Sequence, residues 1–266
     1  MLEAVSLDGR VAIVTGGGTG LGRAIVRQLA KAGADVAIAA RRPGPIEEAA
    51  AEVRAIGRRA LAIPTDVSDS AQVNRLVDTV LKEWGQIDIL VNNAGLVGLP
   101  RKPIWEITDE EWNYGLAVNL SGAFYCSRAV AKHMVERGRG SIIMITSAFG
   151  LRGPRDGYVY TVSKGAMVPL VRSLAISLGR YGVRTNGIAP GGIPTEGTQS
   201  HLEYIARPEF VPVGHLGKPE DIGHIAAFLA SDAASYINGE IILVEGAGLA
   251  GGYAPTGYAP VIPLKE

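Results

Sequence analysis

The feature that most constrains this chain is a glycine-rich turn set between an apolar run and an amphipathic one. Arg10–Thr15 reads RVAIVT and leads directly into Gly16-Gly17-Gly18-Thr19-Gly20-Leu21-Gly22. Helical spacing starts at once, with Leu21, Ala24, Ile25, Leu29 and Ala32 on one face. Glycines at such a turn let the backbone bend tightly and approach a ligand with no Cβ in the way. The helix N-terminus then offers free N–H groups and its positive dipole end to a pyrophosphate. Alone, a glycine-rich turn also serves loops that bind nothing; between the first strand and first helix of a βαβ series it points to a dinucleotide.

The remainder of the chain supplies that series. Short β-branched runs at Asp35–Ala39, Ala60–Ile63, Ile87–Val91, Ser141–Ile145, Val183–Ile188 and Glu240–Val244 alternate with helical patterns such as Val73, Leu76, Val77, Val80, Leu81 and Trp84. Several runs are apolar on both faces, as strands buried in a parallel sheet must be. The expected fold is therefore α/β: a doubly wound, Rossmann-like parallel sheet of about seven strands, helices on both faces, in one domain. With 266 residues, such a domain buries roughly three quarters of its unfolded surface and needs no disulfide or metal to fold.

Composition removes several classes of function. Net charge is zero, whereas nucleic acid or an anionic membrane as main partner calls for a basic excess. Cys126 is the single cysteine, and His133, His201, His215 and His224 lack zinc-type spacing, so no metal site is expected. Glu3 and Asp8 near the start break the pattern of a secretion signal, and no apolar run reaches membrane-spanning length. A cytoplasmic protein is expected.

At the spacing Gly-x-x-x-Gly-x-Gly the sequence resembles the short-chain dehydrogenase/reductase family, and the resemblance holds to about residue 248. It implies that Gly16, Gly18, Thr19, Gly20, Leu21 and Gly22 cradle a nicotinamide dinucleotide. Asp66-Val67 matches the pair that contacts the adenine; a helix cap is the other reading of Asp66, although Ser68 and Asp69 already supply one. Asn92-Asn93-Ala94-Gly95 matches the family segment that braces the sheet and lines the cofactor's ribose. Pro190-Gly191-Gly192-Ile193-Pro194-Thr195 matches the segment under the nicotinamide, with the Ile193 backbone and the Thr195 hydroxyl reaching the cofactor.

The catalytic group is read from spacing as well as resemblance. Tyr160 and Lys164 stand i,i+4 at the start of a helical run, hence on one face. A cation about 4 Å from a phenol is worth roughly 4 kcal/mol at an effective dielectric of 20, enough to lower its pKa by about 3 units. A lone Tyr-x-x-x-Lys usually marks a surface helix, but Ser147 lies thirteen residues upstream, just past the fifth strand. The resemblance makes Ser147 the donor to the substrate oxygen, Tyr160 the general acid/base, Lys164 the residue that lowers its pKa and holds the nicotinamide ribose, and Asn119 the holder of a relay water. Tyr158 is a decoy, because Val162 stands four residues on.

After the second strand the chain reads Ala39-Ala40-Arg41-Arg42. An acid there would bind the ribose hydroxyls of NAD(H), whereas two arginines can clamp a 2′-phosphate. NADP(H) is favoured, with NAD(H) as the alternative; Thr19 stands where many NADP-using relatives carry a basic residue.

The segment 196–217 occupies the place of the family's substrate-covering loop, within a dinucleotide-binding domain of 1–248. Leu96–Leu99, Phe149–Arg155 and the tail 249–266 are further wall candidates. With no basic cluster evident among them, a small to medium, fairly apolar ketone or secondary alcohol is expected. The resemblance further implies a homotetramer built on the long helices after strands four and five. The function expected is hydride transfer between a nicotinamide and a ketone or secondary alcohol. Alternatives are a C=C (enoyl-type) reductase, whose Tyr and Lys usually lie further apart, and a non-catalytic dinucleotide sensor.

Overall fold

All five residues of strand β1 (Val11–Thr15) are buried, which requires protein on both faces of the strand and a neighbour on each side. The computed structural model, which describes residues 2–196, 198, 202 and 211–250, provides both. Strands β1, β2 (Asp35–Ala40), β3 (Ala60–Pro64), β4 (Ile89–Asn92), β5 (Gly140–Ile145), β6 (Val183–Pro190) and β7 (Ile241–Val244) form one sheet in the order β3-β2-β1-β4-β5-β6-β7. Every neighbouring pair is parallel.

Alternation along the strands feeds two cores. Ala12, Val14, Val36, Ile38, Ile89 and Val91 point to one face, where they meet helices α2 (Gly20–Lys31), α3 (Pro43–Ala55) and α8 (Pro219–Ala230). Val11, Ile13, Ala37, Leu90, Ile142 and Met144 point to the other, against α4 (Ser70–Trp84), α6 (Gly122–Arg137) and α7 (Tyr158–Gly179). At roughly 1.5–3 kcal/mol for each fully buried large aliphatic side chain, these two layers supply the main driving force. Two short helices, α1 (Leu2–Val5) and α5 (Asp109–Leu116), complete the set used below.

The expected seven strands are all present. β4 starts two residues later than its apolar run suggested, because Ile87 donates its N–H to His133 Nε2 at 3.2 Å instead of joining the sheet. The helix expected across Asn119 is not uniform either: Ala117–Ser121, between α5 and α6, is π-helical.

Strand order reverses between β1 and β4, and the crevice outside the carboxyl ends of strands at such a reversal is where doubly wound sheets bind ligands. The glycine turn follows β1, Asn93-Ala94-Gly95 follows β4 and Ser147 follows β5, so all three open on one side of the sheet.

Candidate active site

The glycines of the first turn divide into two kinds. Gly16 and Gly20 have φ of +65° and +53°, where a Cβ would be strained. A Cβ on Gly16 would also come within 2.9 Å of the Asn93 amide, and one on Gly22 would fall onto the Gly16 carbonyl. Gly17 is different: its missing Cβ makes room for Ile38 and Val26, at 2.7 and 3.0 Å, in the core. A Cβ on Gly18 would meet Pro45 at the start of α3, at 3.0 Å, so this glycine lets the turn and α3 approach.

Thr15 is the hub that joins the turn to β4. Its hydroxyl donates to the Val91 carbonyl at 3.3 Å and accepts from the Asn93 and Ala94 N–H groups, both at 3.1 Å. Asn93 Nδ2 donates to the Thr15 and Gly16 carbonyls at 3.0 and 3.1 Å. Asn92 Nδ2 donates to Ser127 Oγ at 3.0 Å and so ties β4 to α6. Thr195 sits over Gly20, 3.3 Å from where its Cβ would be, with its hydroxyl 2.9 Å from that of Thr198.

One cleft of about 1770 Å³ runs across these loops. At one end it is lined by Gly16, Thr19, Gly20, Leu21, Gly22, Arg41 and Arg42, followed by Asp66, Val67 and Asn93–Gly95. Pro190, Ile193 and Thr195 line it as well, as do Ser147, Tyr160 and Lys164. Asp66 is held by Ser68, whose N–H and hydroxyl donate to its carboxylate at 3.0 and 2.7 Å. Asp69, not Ser68, caps α4. Arg41 donates to the Tyr114 hydroxyl at 2.9 Å, a partner from α5 that the sequence did not suggest.

In the catalytic group, Lys164 is wholly buried and its amine donates to the Ile145 carbonyl at 2.7 Å. Asn119, also fully buried, accepts from the Leu96 N–H at 2.7 Å and donates to the Leu96 carbonyl and to Ser163 Oγ. Ser163 in turn donates to the Tyr160 carbonyl at 2.8 Å. A Cβ on Gly95 would stand 3.3 Å from both Asn119 Oδ1 and Lys164 Nζ, so glycine lets these two groups converge. π-Helical turns recur at functional sites, and here one sets Asn119 between the β4 loop and α7. The decoy Tyr158 donates its hydroxyl to Asp156 at 3.2 Å.

Electrostatics depart from expectation. Burial holds the Tyr160 phenol above its ordinary range, and the nearby Ser147 hydroxyl and Arg101 charge pull it only partly back. Lys164 was expected to lower the phenol; instead burial lowers Lys164 itself to about 8. Its charge is directed at the Ile145 carbonyl. The free protein thus presents a protonated phenol at neutral pH.

The other end of the cleft differs from expectation too. Leu96, Leu99, Pro100, Phe149 and Pro154 line it, as an apolar substrate would need, but so do Arg101, Arg152 and Arg155. The basic group is invisible in sequence because its members come from two segments some fifty residues apart. Of the expected substrate loop, residues 197, 199–201 and 203–210 lie outside the described residues, as does the tail from 251.

Comparison with known proteins agrees with this architecture. The family described as "Enoyl-(Acyl carrier protein) reductase" matches residues 16–249. The 2-dehydro-3-deoxy-D-gluconate 5-dehydrogenase of Pseudoalteromonas atlantica is 41% identical over 254 residues, covering 92% of this chain and 98% of that protein. The L-rhamnose 1-dehydrogenase (NAD(P)(+)) of a Sphingomonas species is 37% identical, covering 90% and 96%. The chain belongs to the short-chain dehydrogenase/reductase family. A crystal structure of gluconate 5-dehydrogenase from Burkholderia cenocepacia, in complex with NADP and tartrate, superposes on the dehydrogenase with a TM-score of 0.88. Identity there is 34%, over 94% of this chain and 98% of that one. This short-chain dehydrogenase/reductase is an NAD(P)-dependent oxidoreductase acting on CH–OH and C=O groups. Among the described residues no helix is long and apolar enough to cross a membrane.

Proposed function

We propose that this enzyme reversibly reduces a ketone to a secondary alcohol with NADP(H), using Ser147, Tyr160, Lys164 and Asn119 in distinct roles. The observation that carries the reading is one cleft lined both by the glycine turn and by Ser147 and Tyr160. The cradle fits a dinucleotide: Gly16 and Gly22 leave open backbone that a Cβ would fill, at the N-terminus of α2, whose dipole favours a pyrophosphate. When bound there, the nicotinamide supplies the hydride.

The chain's own groups do the rest. Tyr160, protonated at neutral pH, donates its proton to the carbonyl oxygen during reduction. Ser147 donates a hydrogen bond to the same oxygen and favours the transition state, in which negative charge grows there. Lys164, close to Gly95 and bonded to the Ile145 carbonyl, is the residue we assign to hold the nicotinamide ribose. Both Asn119 donors are bonded within the protein, and its oxygen keeps one acceptor position toward Lys164 for a relay water. Oxidation of the alcohol needs the phenolate, so its rate rises with pH above neutral.

NADP(H) is favoured over NAD(H) because Arg41 and Arg42, and no acid, directly follow β2 where it ends at the cleft. The NADP named in the Burkholderia cenocepacia structure supports that choice. The same reading gives a homotetramer in the cytoplasm; Phe124 on α6, Ile176 on α7 and Leu243 on β7 are exposed apolar residues suited to subunit contact.

The family description favours one other reading, a C=C reductase. The i,i+4 Tyr160–Lys164 pair with Ser147 before it, and relatives named as sugar and sugar-acid dehydrogenases, support the alcohol reading instead. NADPH and NADH oxidation across ketones and enones tests it. Ketone turnover with NADPH preferred is expected, and enone turnover without ketone turnover overturns it.

A further inference from the structure

Three exposed arginines that this mechanism does not use line the same cleft. Arg101 comes from the segment after β4, and Arg152 and Arg155 from the segment between β5 and α7. Ser147 and Tyr160 line the same space. Neighbouring charges are committed elsewhere: Lys102 pairs with Glu111 at 2.8 Å, and Asp156 accepts from Tyr158. Among the described residues the one carboxylate that lines the cleft is Asp66, near the opposite end and bonded to Ser68.

Arg101, Arg152 and Arg155 are exposed at this cleft, and three positive charges lining one cleft raise the potential there in favour of an anionic ligand. Their planar donor forks match the two oxygens of a carboxylate. The dinucleotide's own phosphates have separate partners, because Arg41, Arg42 and the α2 N-terminus stand at the other end.

We propose that the substrate is a hydroxy acid and its oxo-acid product, with the carboxylate held by Arg101, Arg152 and Arg155 and the reacting carbon at Ser147 and Tyr160. The proposal rests on the oxidoreductase reading above and narrows its substrate class. In the oxidative direction the C–H bond breaks and its electron pair leaves as hydride to NADP⁺. The hydroxyl proton passes to Tyr160, and the carboxylate is unchanged. Arg101 stands near enough to the Tyr160 phenol for its charge to favour the phenolate. Phosphate esters would meet the same cations, and the test separates them.

Matched pairs that differ in one group provide the test: gluconate against sorbitol, and 4-hydroxycyclohexanecarboxylate against 4-methylcyclohexanol, extended to other hydroxy acids and their neutral counterparts. The acid is expected to exceed its neutral partner in kcat/KM at least tenfold, with an advantage that shrinks as salt is raised. Arg152→Gln and Arg155→Gln, each checked for an unchanged melting temperature, are expected to cut the acid-to-neutral ratio at least tenfold. Equal or better turnover of the neutral partners overturns the carboxylate proposal and leaves the oxidoreductase reading intact. Stronger turnover of a sugar phosphate than of the matching acid overturns it as well. Absence of turnover with every alcohol and ketone overturns the oxidoreductase reading itself.

Discussion

The two ends of the cleft are built on opposite principles. Around Gly16, contacts run through the backbone: Thr15 and Asn93 bond main-chain groups, and glycines open space by having no side chain. Around Arg101, Arg152 and Arg155 the lining is long side chains on connecting segments. A dinucleotide presents the same phosphates to every protein that binds it, so main-chain geometry suffices. A particular substrate is read by side chains, and loops carry them because they can change without disturbing the sheet.

This contrast can be broken by substitutions whose effects should stay at one end. Ser147→Ala removes a donor to the reacting oxygen, and kcat for ketone reduction should fall about 10²-fold or more. Cofactor affinity, measured by nicotinamide fluorescence titration, should stay within twofold; a joint loss would show that the ends are not separable.

Lys164→Met sharpens the comparison through stability. Burial lowers the folded-state pKa of Lys164 to about 8 from an unfolded 10.5, so the folded protein binds fewer protons between those values and wild-type stability rises with pH across that window. Below pH 8 the buried cation is a full cost. Once loss of the bond to Ile145 is allowed for, the variant should be about 2 kcal/mol more stable at pH 7. That advantage should fade between pH 8 and 10.5, as denaturant titrations at both extremes would reveal. An advantage independent of pH would mean that the amine carries no folded-state penalty. The smallest effect is expected at Arg42→Gln, which should narrow the NADPH-over-NADH ratio of kcat/KM about tenfold while leaving the acid-to-neutral substrate ratio unchanged.

The same contrast explains what could be read from the sequence. The seven strands were legible because burial on both faces leaves uninterrupted apolar runs, and the glycine turn because its residues are contiguous. Tyr160, Lys164 and Ser147 were legible because a helix and one short loop set their spacing. Thr15 was not, since a threonine ending a strand has many uses and the partners of its hydroxyl lie 76 to 79 residues on. The wall segment Phe149–Arg155 was legible, but its arginines' shared cleft with Arg101 was not, because topology, rather than spacing, brings the two segments together. The direction of the Lys164 amine was not legible: helical spacing places two residues on one face without fixing where the amine points, and here it donates to the Ile145 carbonyl.

The central claim is that Tyr160 carries the proton while the glycine end separately carries the cofactor. Its most direct test is Tyr160→Phe, assayed by single-turnover ketone reduction alongside NADPH binding. Loss of about 10³-fold in the reduction rate, with NADPH affinity within twofold of wild type, is the predicted result. Near wild-type reduction by this variant would contradict the account.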